Sequence, residues 1–390
     1  MRASASARLL RLDRMGLLIA LLLAGAALLP FASLSPNRIL PGVPHALPAA
    51  LGGGGAALLL AGLALAAAVA LLPPPPAWRL AVACAVLTGL LAGIGLAGGH
   101  LTPDDNPYAR VSPASGFWLL LFALLLLAAD SLTRLRPRPL LRVALLALAL
   151  AVLLGFAASG LWDDLSLIKE YGSRAEAFWR EGRRHVALAF GSLGAAALAG
   201  IPLGIFCQRR ARLRGPILNG LNIIQTIPSI ALFGLLIAPL AWVAAHVPGA
   251  SDIGISGIGA APALVALFAY SLLPVVSNTV AGLEGVPGQV RDAATGMGMT
   301  PRQRLFRVEL PLAFPVILTG IRIVLVQNIG LATIAALIGG GGFGVFVFQG
   351  MGQTATDLIL LGALPTVILA FAAAVLLDAL VEWSGGRAPR

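Results

Sequence analysis

Runs of about twenty apolar residues, several of them flanked by a cluster of arginines, recur along the whole 390-residue chain. An α-helix rises about 1.5 Å per residue, so a run of that length spans the roughly 30 Å hydrocarbon layer of a bilayer. Inside that layer every backbone N–H and C=O must find a partner, and a helix supplies one within the segment itself. Composition agrees. The chain is 58% hydrophobic and only 11% charged, where a soluble domain carries roughly 25% charged residues. The pattern predicts an all-α polytopic membrane protein of about ten transmembrane helices. The formal net charge of +11 comes from arginines at the ends of apolar runs, as loops beside a membrane require, and implies no nucleic-acid partner.

The first half is expected to hold spans at residues 15–33, 49–72, 80–99, 116–132 and 143–161, so that 1–161 forms an N-terminal membrane extension. Arg2, Arg8, Arg11 and Arg14 precede the first span, which reads as a retained anchor or a cleaved signal peptide with a cytoplasmic start. Pro73 to Pro76 end the second span, and Arg134, Arg136, Arg138 and Arg142 follow the fourth. Residues 162–184 differ in kind. Leu161, Leu165, Ile168, Ala175 and Phe178 recur at helical spacing, and Glu170–Arg174 and Glu176–Arg180 are i,i+4 pairs. This stretch reads as an amphipathic helix on the outer face with Trp162 and Trp179 at headgroup level, or as a solvated linker helix. The second half is expected to cross at 185–207, 216–243, 260–283, 316–338 and 357–381, giving a core at 185–383 and a cytoplasmic tail at 384–390. The bias of lysine and arginine toward alternate segments places both termini, and the loop at 287–315, in the cytoplasm.

That loop is the longest polar interruption of the second half. Asp292, Glu309 and the arginines at 291, 302, 304 and 307 lie between two hydrophobic blocks. Thr300-Pro301 reads as a helix start, with Thr300 as N-cap and Pro301 at the first helical position. Asp292-Ala293-Ala294 suits the opening of an earlier short helix, and Gly296 and Gly298 suit its end. A helix, a glycine turn and a second helix make more structure than a bare connection needs, and suit a docking surface for another protein.

The residues around this loop resemble a known family. Asp292-Ala293-Ala294, then Gly298, then Leu310-Pro311 is similar to the "EAA" coupling loop of ABC importer permeases, with Asp292 where that family usually has Glu. The segments 222–229, Leu273-Pro274 with Asn278-Thr279, 296–300 and 335–344 resemble the osmoprotectant branch, which takes up glycine betaine, choline, proline betaine and related quaternary amines. The resemblance covers about residues 180–383 and implies a five-helix type I importer permease core. It implies partners as well: ABC ATPase subunits, an external substrate-binding protein, and a second permease that is identical or homologous. The first half resembles only the extended members of that branch. No resident cofactor or metal is expected, and ATP would be bound by the partner. The sole lysine, Lys169, follows Leu167-Ile168 and not a glycine-rich turn, so no P-loop is present. Cys84 and Cys207 read as small buried hydrophobes, and the four histidines form no ligand cluster.

Polar side chains inside spans cost free energy unless they face protein or water. Asn222, Gln225, Thr226 and Ser229 share a face of one span; Ser271, Ser277, Asn278 and Thr279 mark the next; Gln327, Asn328 and Thr333 mark the one after. They are candidates for the wall of a translocation pathway or for hydrogen bonds between helices. Phe233, Phe268, Tyr270 and Phe343 could add aromatic contacts to a quaternary ammonium. Arg322 can snorkel or pair with Asp378 or Glu382. An ion-coupled secondary transporter is the main alternative. It conflicts with the carboxylates Asp130, Glu284, Asp357 and Asp378 all lying near span ends. A permease for an amino acid is another alternative. An enzyme is not expected, since no HExxH, GxSxG or convergent His and carboxylate set occurs.

Overall fold

The computed structural model describes residues 13–385 apart from Ile39, Pro73 and Pro107. Arg2, Arg8, Arg11, Arg387, Arg390 and the tail from 386 lie outside the described residues, as does the Pro73 that opens the expected break after the second span. The chain divides into two units, one of Met1–Arg138 with Ala147–Ser173, the other of Pro139–Leu146 with Arg174–Arg390.

The described part of the first unit begins with α1 (Arg14–Ala27), N-capped by Asp13, whose carboxylate accepts from the Met15 N–H at 3.1 Å. It continues through β1 (Ala32–Ser35), β2 (Val43–His45), α2 (Leu47–Leu71), α3 (Pro76–Leu101), β3 (Arg110–Pro113) and α4 (Ser115–Leu135). Next come α5 (Pro139–Ala158), which starts in the other unit, and the opening of α6 (Ser166–Arg209). Leu23, Leu63, Leu90 and Leu124 sit in one core with Phe31 and Phe117, whose rings meet edge-on at 5.9 Å. Gly16 permits a close approach of α1 to α2, because a Cβ there would stand 1.9 Å from the Ala70 carbonyl oxygen.

The three strands form one antiparallel sheet in the order β2-β1-β3, pairing Ala32 with both His45 and Pro113. This corrects the expected first span. The apolar run of 15–33 is helical only to Ala27, and its end is drawn into the sheet after Pro30, which has no N–H to continue a helix. At 14 residues α1 is shorter than a spanning helix, while nine other helical segments among the described residues, counting Ser229–His246 and Pro301–Ala332 as one each, are long and apolar enough to cross a membrane.

The stretch expected as a separate helix at 162–184 differs as well. Residues from Ser166 onward belong to α6, whose backbone leaves helical values at Arg174 (φ −133°, ψ 17°). Its first turns are not solvated. Glu170 is buried and accepts from Arg38 and Arg110 at 3.0 and 2.9 Å, and the Trp162 indole donates to the Leu91 carbonyl at 3.0 Å.

In the second unit the rest of α6 leads to α7 (Ala211–Thr226), α8 (Ser229–Leu235), α9 (Ile237–His246) and α10 (Ala260–Glu284). Then come α11 (Gly288–Gly296), α12 (Pro301–Arg304), a π-helical turn at Leu305–Glu309, α13 (Leu310–Ala332) and a 3-10 turn at Ile334–Ile338. The unit ends with α14 (Gly344–Gly352) and α15 (Thr356–Trp383). The single span expected at 216–243 is broken at Ile227, which is extended (φ −69°, ψ 127°) because it precedes Pro228. α10, α13 and α15 pack together. Gly320 and Gly282 let α13 approach α10, since a Cβ at Gly320 would lie 2.7 Å from the Asn278 Cβ. Arg142, at the start of α5, donates to Asp378 at 2.6 Å and pairs with Glu382, and Arg322 of α13 also pairs with Asp378.

Candidate coupling hairpin and polar groups of the helical core

Local capping shapes the hairpin of α11 and α12. The Thr300 hydroxyl accepts from the Gln303 N–H at 3.3 Å, and the Gln303 side chain accepts from the Thr300 N–H at 2.9 Å, a reciprocal capping box. Gly298 adopts φ +79° between the two helices, a conformation that costs a side-chain-bearing residue roughly 1–2 kcal/mol. Asp292, expected to open α11, instead lies in its middle, because the helix begins at Gly288, directly after Pro287 and four residues before Asp292. The helix dipole therefore gives Asp292 little.

Asp292, Ala293 and Gly298 are exposed, while Ala294 is buried. Met297 and Phe306 are also exposed, at 71% and 58%, and add apolar anchors to the same hairpin. Leu310 and Pro311 open α13 directly after the π-turn, and Leu283, Leu305, Ala313 and Ile317 form the core beneath them. Arg304 was expected only as one of the loop's bases. It spans the hairpin, donating to Glu309 at 2.8 Å and to the Thr295 hydroxyl at 3.0 Å. The two charges are five residues apart. They face one another through the wider π-turn, a geometry that α-helical spacing does not reveal.

The polar residues of the spans separate into two groups. Asn328 is fully buried and donates to Ser192 of α6 at 2.8 Å and to Ser271 of α10 at 2.9 Å. It ties three helices together, in keeping with the interhelical bonding that stood as the alternative to a place on a pathway wall. Asn278 donates to the Pro274 carbonyl four residues back in α10 at 2.8 Å, and is only half-buried. Gln225 donates to the Tyr270 carbonyl at 2.8 Å, and the Tyr270 hydroxyl donates back to Ile227, fastening the break before Pro228. Asn222 and Thr226 are exposed on α7, and Gln225, Ser229 and Gln327 are half-buried. Among the described residues no group of His, Cys, Asp and Glu is placed to hold a metal ion.

Residues 200–388 match the family described as the binding-protein-dependent transport system inner membrane component, and residues 11–168 match the N-terminal domain of the ABC transporter permease YehY. The chain is 43% identical over 187 residues to the osmoprotectant import permease protein OsmW of Salmonella typhimurium, covering 48% of this chain and 82% of that protein. It is 39% identical over 186 residues to the choline transport system permease protein OpuBB of Bacillus subtilis, covering 48% and 78%. It is also 39% identical over 209 residues to the carnitine transport permease protein OpuCD of Listeria monocytogenes, covering 53% and 83%. A solved structure of the MetNI methionine ABC transporter aligns with a TM-score of 0.48 at 22% identity, over 54% of this chain and 97% of that one.

Helices of spanning length, a capped polar hairpin and these matches together define the membrane subunit of an ATP-driven importer. The chain belongs to the inner membrane components of binding-protein-dependent transport systems. It is a multi-pass permease and not itself an enzyme, and its partners are ATPase subunits and a substrate-binding protein. An ion gradient as the energy source is thereby set aside.

Proposed function

We propose that this permease admits small quaternary-ammonium osmoprotectants of the choline, carnitine and glycine betaine kind. The observation that carries the reading is the identity of 39–43% to relatives named for osmoprotectant, choline and carnitine transport, each covered over roughly four-fifths of its length. The chemistry of the core is compatible. A quaternary ammonium has charge and no donors, so it passes best along neutral polar and aromatic walls without a fixed cation. Asn222, Thr226, Gln225, Ser229, Asn278 and Gln327 are neutral and lie on exposed or half-buried positions of the core helices.

In this reading Asp292, Ala293 and Gly298, with Met297 and Phe306, meet the ATPase, while Ala294, Leu310 and Pro311 set the hairpin's shape. ATP is bound by that partner, and a second permease, a copy of this chain or a homologue, completes the pore. The hairpin and both termini face the cytoplasm, so the connection at 333–343 faces outward. The test is uptake into proteoliposomes holding this permease with its ATPase and binding protein. Labelled choline, glycine betaine or carnitine should enter in an ATP-dependent way. Uptake of amino acids without N-methyl groups, and of none of the three, would sink the reading.

A further inference from the structure

We propose that Arg180, Arg183 and Arg184 form the docking surface for an acidic protrusion on the substrate-binding protein, and that docking there releases a clamp on the glycine loop 339–342. The inference rests on the outward orientation given above.

Three exposed arginines within five residues run against the usual bias of basic residues toward the cytoplasmic side. Arg180 and Arg184 keep 52% and 57% of their side-chain surface exposed, and Arg183 makes no ion pair among the described residues. The acid among them does not neutralise the face. Glu181 is turned inward with 6% of its side chain exposed, and its Oε2 accepts from the Gly342 N–H at 2.9 Å. Its other oxygen, Oε1, is held by Arg180 at 3.2 Å and by Arg184 at 3.6 Å. The same two arginines thus face outward and anchor the carboxylate that grips the loop.

The loop is built to be held this way. Gly339, Gly341 and Gly342 adopt φ of +78°, +79° and +86°, and a Cβ at Gly341 would stand 2.7 Å from Glu181 Oε2. The next residue, Phe343, packs against Phe178 at 5.2 Å and donates its N–H to His185 Nδ1 at 3.4 Å. Beside the clamp lies a cleft of about 340 Å³ lined by Arg184, Leu188, Gly259, Gly339 and Gly340. A carboxylate entering that cleft meets Arg184 first and competes with Glu181 for it. Weakening the Oε1 anchor frees the carboxylate, and with it the Gly342 N–H.

The test uses the permease–ATPase complex in nanodiscs of zwitterionic lipid, with its binding protein. The triple variant R180Q/R183Q/R184Q should slow binding-protein association about tenfold or more at low salt, and the difference should shrink as ionic strength rises. Hydrogen exchange at residues 341–343 should quicken in the wild type when the binding protein is added. E181Q should quicken it without the binding protein and, by removing the carboxylate that competes for Arg184, should not slow association. Wild-type association by the triple variant, or exchange at 341–343 that slows or stays fixed on docking, overturns the proposal. So does a defect that appears only when anionic lipid is included, which would assign the arginines to headgroups. A cysteine at position 183 that a membrane-impermeant maleimide cannot reach from outside would instead overturn the orientation.

Discussion

Arg304 and Glu309 are joined at 2.8 Å across a π-helical turn, and through Arg304 the pair also reaches the Thr295 hydroxyl of the preceding helix. The coupling hairpin is therefore tied at its base, where α13 begins. On the proposed ATPase-docking role, a load applied to α11 would pass to the spanning helix through this tie.

Glu309→Gln should weaken that tie. Glu309 is buried, and a hydrogen bond to a charged group is worth about 1.5–3 kcal/mol. Membrane insertion should be unaffected. ATP hydrolysed per solute imported should rise in the reconstituted complex, and trypsin should cut faster at Arg302 and Arg307. A stoichiometry equal to wild type would show that the pair carries no load.

Gly298 has open space around its missing Cβ, so its substitutions report backbone strain and surface chemistry alone. Gly298→Ala should cost roughly 1–2 kcal/mol of local hairpin stability, and Gly298→Asn less, because asparagine tolerates the left-handed region. Gly298→Val should lower uptake further than either. A flat series across the three, measured as uptake at equal expression, would remove the turn from the coupling route.

Asn328→Leu should lower thermal stability without a specific effect on substrate. The cost should be about 0.6–2 kcal/mol, the range for polar contacts between membrane helices. Asn222→Leu should do the reverse, changing the apparent KM for uptake with little change in melting temperature. Similar KM shifts in both variants would return Asn328 to the pathway.

Asp13, Arg79, Asp130 and Arg134 form a charge-balanced cluster in the first unit. Arg79 is 1% exposed and bonds to Asp130 at 2.5 Å and to Asp13 at 3.3 Å. Arg79→Ala should destabilise that unit by about 3–5 kcal/mol, since two carboxylates lose their buried partner. Adding Asp130→Asn should recover part of the loss.

The same cluster gives an expected pH response. Burial pushes the Asp13 carboxyl up, but the Arg134 charge and the Met15 N–H outweigh burial and hold it below its ordinary 3.8. A carboxyl with a lowered folded-state pKa stabilises the fold at neutral pH. That contribution falls away as pH drops through 3.8 and then through the lower folded value. Asp13→Asn should flatten the part of the acid-side stability curve that Asp13 contributes, and an unchanged curve would show that the contact contributes nothing.

The spanning helices, the Thr300 cap and the pairing of Arg322 with Asp378 were all legible in the linear order of residues. A run long enough for the bilayer and a threonine before a proline are near-neighbour facts or rest on length alone, whereas the Arg322–Asp378 pair, 56 positions apart, was legible only as one option for a cation inside a span. Other features were not. The end of the first apolar run joins a sheet because β1 finds partners both just ahead of it and some 78 positions away. Arg304 meets Glu309 because a π-turn replaces an α-turn, which no residue pattern announces.

By itself, the order of residues determined a helical protein of the membrane with a capped polar hairpin between two of its later helices. Hydrophobic length and end-capping act within a few turns of chain, so those decisions are local. Tertiary structure alone decided which polar groups became clamps: Arg79 among two aspartates, Asn328 among two serines, and Glu181 against Gly342, 161 positions on. Burial converts a side chain that would be solvated into one that must find a partner, and only the packed helices bring that partner within reach.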